Sequence, residues 1–350
     1  MGEQGVIESL AADLGFALVG VAPAAPTAYR DYVRRWLDRG NQGEMSYLER
    51  HAEQRLDPRV LVPGARSVVC VADRHQGGKA DGPTETGGRI ARYAWGDDYH
   101  RIIKRRLHRL ADRMRSRWPD DQHRAAVDTA PILEREHALR AGMGWIGKHT
   151  LLIHPTLGSY LLLGEIVTTR DLAPAGAAMA DHCGTCTRCI DACPTGCIEE
   201  EGYRMDASRC ISYLTIEHRG PIDADLQAQM GDWVAGCDVC QEVCPYNQED
   251  RVSLIPSNPS YDARFPAPAV PLLELLDWDA DQRRAAFKGS ALKRIKLDPL
   301  RRNALIAAGN HLARTDDPAL RAKILAIAED MAEPSMIRET ARQVLGRLGE

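Results

Sequence analysis

Clustered cysteines are the feature that most restricts what this chain can fold into. The stretch CGTCTRCIDACPTGC, residues 183–197, contains the pattern C-x2-C-x2-C-x3-C-P. A second stretch, CDVCQEVCP at 237–245, contains C-x2-C-x3-C-P, and Cys210 stands alone between the two. In bacterial ferredoxins such a run gives three ligands to one [4Fe–4S] cluster and its fourth cysteine to another. The spacing therefore predicts a ferredoxin-like module with two clusters.

Eight of the ten cysteines form two four-thiolate sites if the last ligand of each run crosses to the other cluster. The predicted ligands of the first cluster are Cys183, Cys186, Cys189 and Cys244. The predicted ligands of the second cluster are Cys193, Cys210, Cys237 and Cys240. Zinc is the alternative metal, because paired C-x2-C is also a zinc signature. A structural zinc does not account for two runs that both end in Cys-Pro. Cys197 and Cys70 are left over, and we predict that both are small buried residues.

The rest of the composition is that of an ordinary globular protein. The 350 residues are 44% hydrophobic and 27% charged, and this length favours two or three domains. No apolar run approaches the roughly 20 residues of a membrane span. The N-terminal stretch carries acids where a signal peptide has positive charge. These features predict a cytoplasmic protein with no membrane partner, and in that reducing compartment clustered cysteines favour metal ligation over disulfides.

Patterning divides the chain into three predicted parts, 1–172, 173–250 and 251–350. In the first part a helical segment at 98–118 lies between strand-like segments, such as ARSVVCVAD (65–73) before it and SYLLLGEIVTT (159–169) after it. The second part holds the cysteine runs. The third is helical from about residue 272, with breaks before two prolines that are typical of stacked helical repeats. We therefore predict a multidomain α+β or α/β fold: a mixed first domain, the ferredoxin-like module and C-terminal HEAT-like α-helical repeats.

Positive charge is concentrated in two segments. The net charge is −4, yet residues 101–117 carry eight Arg or Lys against one Asp, and residues 283–302 repeat this balance. Local basic faces on a mildly acidic protein favour one particular polyanion over indiscriminate adhesion. The alternative is that both segments are solvated helix faces.

The sequence lacks the common nucleotide and metalloprotease motifs. No G-x-G-x-x-G follows a strand, and neither a phosphate-binding loop nor H-E-x-x-H occurs. Two clusters carry electrons but rarely perform the reaction themselves, so a further redox centre is expected. Residue chemistry alone thus indicates an iron–sulfur oxidoreductase with an unassigned terminal acceptor.

Several motifs carry a family resemblance. VDTAPILERE (127–136), AGMGWIGKHTLLI (141–153), GSYLLLGEI (158–166) and the double cysteine signature together resemble the epoxyqueuosine reductases. The resemblance implies a cobalamin-dependent iron–sulfur enzyme that reduces epoxyqueuosine to queuosine at the wobble position of a tRNA anticodon, the last step of queuosine synthesis. It also implies that the first domain binds cobalamin, as cob(II)alamin, and that an external low-potential donor supplies the electrons.

Site residues follow from the same resemblance. Asp128 is expected to be the proton donor, with a pKa that burial beside the cofactor raises. Arg135 is expected to contact the tRNA substrate. The other expected cofactor contacts, besides Asp128, are Arg55, Tyr99, Lys148, Leu152, His154, Ser212 and Thr215. The basic segments then become candidate contacts for the anticodon stem-loop, and the protein is expected to be a monomer.

Two alternatives from other classes stay open at this point. A related cobalamin enzyme, similar to the reductive dehalogenases, would act on a small molecule. A ferredoxin-type electron carrier would need only the cysteine module, and the 170 residues before that module argue against it.

Overall fold

The computed structural model describes residues 2–75, 87–174, 176, 178–248, 258–263 and 269–349. The helices are α1 (Glu3–Asp13), α2 (Arg30–Asp38), α3 (Tyr47–Arg50), α4 (Ala52–Leu56), α5 (Pro58–Leu61), α6 (Tyr99–Arg117), α7 (Glu134–Arg140), α8 (Arg188–Asp191), α9 (Ile211–Ile216), α10 (Ala224–Gln229), α11 (Val239–Glu242), α12 (Leu272–Asp277), α13 (Ala280–Ala286), α14 (Leu297–Leu312), α15 (Pro318–Glu329) and α16 (Ser335–Leu348). The strands are β1 (Leu18–Pro23), β2 (Ser67–Arg74), β3 (Gly87–Ile90), β4 (His123–Ala126), β5 (Trp145–Ile146), β6 (Leu152–Ile153), β7 (Leu161–Thr168), β8 (Trp233–Ala235) and β9 (Ala269–Pro271). Among the described helices, none has the length and apolarity that crossing a membrane requires.

A four-stranded sheet organises the first part of the chain. Its strand order is β1-β2-β7-β4, and each neighbouring pair is antiparallel. The predicted mixture of helices and strands is confirmed, and the antiparallel pairing makes this part α+β. The alternation of helices and strands along the sequence could not show whether neighbouring strands run parallel or antiparallel. Strands that are consecutive in the chain need not be neighbours in the sheet, so a helix between them is compatible with either arrangement.

Both faces of this sheet are covered, which explains the continuous apolar run in β2. Val69 and Val71 face a core formed with α1 and α6, whereas Val68 and Cys70 face a core formed with α7. Cys70 is buried, as predicted. Gly164 of β7 permits the close approach of α6, because a Cβ there would lie 2.7 Å from a methyl group of Ile103. The loops at one end of this sheet carry the candidate site.

A second sheet joins distant parts of the chain. Strand β3 pairs in parallel with β8 and antiparallel with β9. Its apolar side chains share one large core with α12, α14, α15 and α16. The division of the chain at residues 172 and 250 stays a prediction.

Helix α14 fastens the segment between the two cysteine runs. It is buried along almost its whole length. The guanidinium of Arg302 donates to the backbone oxygens of Leu214 and Gly220, and the Asn303 amide donates to those of Thr215 and Val234, at 2.9 Å each. These bonds satisfy carbonyl groups that the short helix α9 and strand β8 leave unpaired. The C-terminal helices therefore position the cysteine module.

Substitution of Asn303 should destabilise this junction. Asn303→Leu keeps the number and branching of the side-chain heavy atoms but leaves two buried carbonyl oxygens without a donor, so we expect the free energy of unfolding to fall by about 2–4 kcal/mol. Urea unfolding of the variant and the parent protein measures this loss. The exposed change Arg342→Ala on α16 is the control and should cost less than about 0.5 kcal/mol. A loss below about 1 kcal/mol for Asn303→Leu would contradict the assigned role.

Candidate active site

The predicted cluster ligands lie on short helices and turns. Cys189 is in α8, Cys240 is in α11, and Cys210 is the N-cap residue of α9. Cys183 and Cys244 pack against the same small core of Trp145 and Ile153. Cys210 and Cys237 pack against a different core, built around α9 and β8.

Electrostatic coupling links thiols within each predicted set and also links Cys189 of the first set to Cys240 of the second. Burial first, and then the thiols of Cys183, Cys189 and Cys186, raise the pKa of Cys244 to about 11. Burial, Cys210 and Cys193 likewise raise the pKa of Cys237. These contacts place the two predicted sets next to each other, and the assignment of each ligand to one cluster stays a prediction.

A single zinc ion would need its ligand sulfurs close together. Zn–S bonds of about 2.3 Å would hold the ligand sulfurs about 3.8 Å apart. In the part of the chain that the structure describes, no three Cys, His, Asp or Glu side chains converge closely enough to hold one ion. Two runs that both end in Cys-Pro instead match the ligand pattern of paired [4Fe–4S] clusters, in which each thiolate binds a different iron.

Cys197 lies beside the second set. It is buried, as predicted, and its Sγ lies 3.4 Å from the Sγ of Cys193. Its thiol also hydrogen-bonds to Cys210. The sequence analysis missed these neighbours, although the spacing of four residues from Cys193 was a usable signal.

A recess lined by titratable groups surrounds Asp128, which lies two residues beyond the end of β4. Its backbone φ is 24°, an uncommon value for a residue with a side chain and one that often occurs at functional sites. Tyr99 Oη donates to Asp128 Oδ2 at 3.0 Å, and His100 Nε2 lies 2.7 Å from the same oxygen. Asp98, the N-cap of α6, holds the other ring nitrogen of His100 at 2.7 Å. The Asp128 side chain remains 41% exposed, so a ligand can reach it.

The expected direction of the Asp128 pKa shift was wrong. Burial acts to raise this pKa, as the sequence analysis expected, but the hydrogen bond and positive charge of His100 outweigh burial and lower it. Burial alone would lower the pKa of His100, yet its bonds to Asp128 and Asp98 raise it to about 9. At neutral pH the proton of this pair therefore resides on the histidine.

Two further carboxyl groups lie near Asp128. Glu134 Oε1, at the start of α7, accepts from the backbone N–H of Asp128 at 2.6 Å. Burial and the charge of Asp128 raise the pKa of Glu134 to about 8. Glu165 in β7 is fully buried, neither of its oxygens has a hydrogen-bond partner among the described residues, and burial raises its pKa well above the usual range. The sequence analysis assigned no role to these carboxyls, because nothing in their spacing shows that they approach Asp128.

Two predicted arginines and one histidine also border the recess. Arg55 interacts electrostatically with Glu134 and Asp128, and its Nε is buried without a hydrogen-bond partner in the described residues. Arg135 Nη1 donates to the backbone oxygen of Thr150 at 2.6 Å and interacts with both acids. His149 lies near Arg135, and its buried Nε2 also has no described partner. Buried polar atoms without partners mark positions where a bound ligand would complete the hydrogen bonding.

Some predicted cofactor contacts are not supported by the positions of the side chains. Leu152 is buried in the core between α7 and the sheet. Thr215 is fully buried, and its hydroxyl donates to Ile211 O and accepts from Gly236 N, so it stabilises the backbone rather than lining the cleft. Lys148 Nζ donates to the backbone oxygens of Gly184 and Cys186, and thereby anchors the first cysteine run.

The last two predicted cofactor contacts, His154 and Ser212, lie outside the buried core. His154 Nδ1 accepts from the backbone N–H of Leu157 at 3.2 Å and stabilises its own turn. Ser212 is partly exposed, one residue after Cys210. Both stay predictions.

The fold and the cysteine geometry define the chain as an iron–sulfur protein with a titratable cleft. Residues 182–247 match the family model of the 4Fe-4S double cluster binding domain, and residues 55–129 match that of epoxyqueuosine reductase QueG, DUF1730. The chain is 39% identical to the epoxyqueuosine reductase of Alicycliphilus denitrificans, over 95% of this chain and 94% of that protein. It is 36% identical to that of Pseudomonas aeruginosa, over 97% of this chain and 92% of that protein. The chain belongs to the epoxyqueuosine reductase family.

Solved structures have the same fold. A crystal structure of epoxyqueuosine reductase with an epoxyqueuosine-modified tRNA-Tyr stem loop superposes with a TM-score of 0.86 at 28% identity, over 99% of this chain and 90% of that chain. The Streptococcus thermophilus enzyme gives a TM-score of 0.77 at 26% identity over the full length of both chains. A Bacillus subtilis structure with a TM-score of 0.85 and 28% identity, over 99% of this chain and 90% of that chain, is described with its catalytic aspartate loop swung out of the active site.

Proposed function

We propose that this chain reduces epoxyqueuosine to queuosine at the wobble position of a tRNA anticodon, the last step of queuosine synthesis. The observation that carries the proposal is the arrangement of Tyr99, His100 and Asp128 in an open cleft of a protein that also groups two sets of cluster cysteines. The tRNA stem loop in the related crystal structure supports this choice of substrate over a small molecule.

The residues present fit the expected cofactors. Each four-thiolate set would hold one [4Fe–4S] cluster, with the ligands assigned to the two sets above. Arg55 and His149 each have a buried nitrogen atom without a described hydrogen-bond partner, and Arg135 donates to the backbone oxygen of Thr150. These three side chains would hold the amides and phosphate of cobalamin beside Asp128. When bound, cobalamin supplies reducing electrons at the epoxide carbon. Tyr99 and Ser212 remain candidate contacts at its margin.

The reaction sets the number of protons that the cleft must deliver. Conversion of an epoxide to an alkene breaks two C–O bonds, consumes two electrons and two protons, and releases water. The Asp128–His100 pair holds one proton across a 2.7 Å hydrogen bond, so Asp128 can pass it to the epoxide oxygen and be reprotonated by His100. Glu134 holds a second proton near neutral pH, 2.6 Å from the Asp128 backbone. These two groups meet the stoichiometry.

Turnover should depend on pH in the direction that these groups dictate. Glu134 loses its proton as the pH rises through about 8, and His100 loses its proton as the pH rises through about 9. We expect kcat to be level near neutral pH and to fall steadily above about pH 8. Turnover of the reconstituted enzyme between about pH 6 and pH 10 measures the profile. In His100→Gln the remaining decline should follow Glu134 alone, and an unchanged kcat up to about pH 10 in the parent enzyme would contradict this proton supply.

The proposed activity has a direct test. The protein is reconstituted anaerobically with iron, sulfide and cobalamin, reduced with a low-potential donor and incubated with an epoxyqueuosine-modified anticodon stem-loop. Queuosine in the digested RNA is the expected product. Intact epoxyqueuosine after full reconstitution of both clusters would refute the assignment.

We also propose the finer organisation that the sequence predicts. Residues 1–172 would form the cobalamin domain, 173–250 the cluster module and 251–350 the C-terminal domain, whose successive helices α14, α15 and α16 support HEAT-like repeats. The protein would act as a cytoplasmic monomer that accepts electrons from an external low-potential donor.

A further inference from the structure

The exposed face of α6 forms one wall of a groove beside the cleft. Its volume is about 690 Å³, and Ser260 and Gly289 lie on the opposite wall. The basic side chains on the α6 wall are Arg101, Lys104, Arg105 and Arg109. The opposite side of α6, including Ile103 and Leu107, is buried against the sheet, so these four cations can face only outward.

The groove cations differ from other arginines of the same helix. Arg115 pairs with Asp112 at 2.7 Å, and Arg113 pairs with Asp13 at 3.4 Å. Within the ranges that the structure describes, the four cations of the groove make no ion pair with a carboxylate.

Two of the three acidic residues that line the groove are paired within the protein. Asp112 is bonded to Arg115, and Asp98 is bonded to Lys293 at 2.5 Å and to His100. Asp97 is the third acid of the groove lining. The groove therefore carries four Arg or Lys side chains against three Asp, two of which are paired within the protein, and positive charge prevails along its α6 wall.

We propose that this groove binds the phosphate backbone of the RNA next to the modified nucleotide. The inference rests on the proposed function. His100, which contacts Asp128, lies between Asp98 and Arg101 in the chain, and both of these residues line the groove, so the groove lies next to the Asp128 site. From His100 to Arg109 the helix rises about 14 Å, which places the cations along a line rather than around one point.

The linear arrangement favours an RNA strand over a single small anion. Several phosphates of one strand can occupy such a row together, whereas one inorganic anion would contact only one or two of the cations. Phosphate contacts of this kind fix the position of the nucleic acid and are independent of base identity, while the cleft reads the modified base. An acidic protein surface is the alternative occupant, and the salt and RNA experiments below distinguish the two.

The test compares paired and unpaired cations of the same helix. The groove variant carries Lys104→Ala, Arg105→Ala and Arg109→Ala, and the matched control carries Arg113→Ala and Arg115→Ala. Both proteins are reconstituted as holoenzymes, and equal iron content and thermal unfolding show that they are folded. Fluorescence anisotropy then measures Kd for the modified stem-loop and for an unmodified stem-loop of the same sequence between about 50 and 300 mM salt.

The groove variant should lose affinity and salt dependence together. With three phosphate contacts removed, we expect Kd at low salt to rise about 10- to 100-fold for both stem-loops and the slope of log K against log salt to become about 2–3 smaller in magnitude. The control should bind like the parent. Equal slopes in the groove variant and the control would overturn the proposal, even if the parent enzyme produces queuosine. Absence of queuosine with the parent enzyme would instead refute the function on which the proposal rests.

Discussion

Asp128→Asn should lower the rate of epoxyqueuosine reduction by about 100- to 10,000-fold, the range that general acid catalysis contributes. The asparagine keeps the shape and can still accept from Tyr99, but it can neither receive the proton of His100 nor release one to oxygen. Single-turnover assays with pre-reduced, reconstituted enzyme isolate this step from electron delivery. The comparison therefore measures the proton transfer itself.

Controls separate this loss from a failure of binding. Stem-loop affinity, iron content and the absorption spectrum of bound cobalamin should all match those of the parent enzyme. His100→Gln should slow turnover less than Asp128→Asn, because Asp128 can still take up a proton from water. If Asp128→Asn stayed within about threefold of the parent rate, the assignment of Asp128 as donor would be wrong.

The cysteine spacing could be predicted because it follows directly from covalent and metal chemistry. Ligands of one cluster must recur at short intervals, so the cysteine runs at 183–193 and 237–244 can be recognised without knowledge of the fold. The hydrogen-bonded network around Asp128 could not be recognised from the sequence. Asp128, His100 and Glu134 come from a loop and the starts of two helices, and only the packing of α6 and α7 on opposite faces of the sheet brings them together.

The predicted pKa of Asp128 failed for a related reason. Burial was the one influence that a sequence motif suggested, and it is the largest single influence on this pKa. The net shift is nevertheless downward, because His100, 28 residues away in the chain and 2.7 Å away in space, acts together with Tyr99 and Arg294 to lower it. The positions of Leu152 and Thr215 do not support their predicted cofactor contacts, because a motif match locates a residue along the chain but not the direction of its side chain. Leu152 points into the core, and Thr215 bonds to its own helix.

Crossing of the cluster ligands makes a prediction that pairwise substitution can test. Cys240 and Cys244 belong to one run but to different sets, so Cys240→Ala with Cys244→Ala should remove both clusters and about eight irons. Cys189 and Cys244 belong to different runs but to one set, so Cys189→Ala with Cys244→Ala should remove about four irons and leave the other cluster visible by electron paramagnetic resonance. Every one of these variants should lose turnover completely, because electrons can no longer pass along both clusters.

Cys197→Ala is the matched control for these losses. Its thiol lies 3.4 Å from that of Cys193 but is surplus to the eight ligands, so the variant should retain about eight irons and its turnover. Iron analysis after anaerobic reconstitution gives the count, and circular dichroism shows that each variant is folded. Loss of four irons in Cys197→Ala would make it a ligand in place of Cys193 or Cys210. Retention of four irons in the Cys240 and Cys244 double variant would mean that each run binds its own cluster, and the crossed assignment would be wrong.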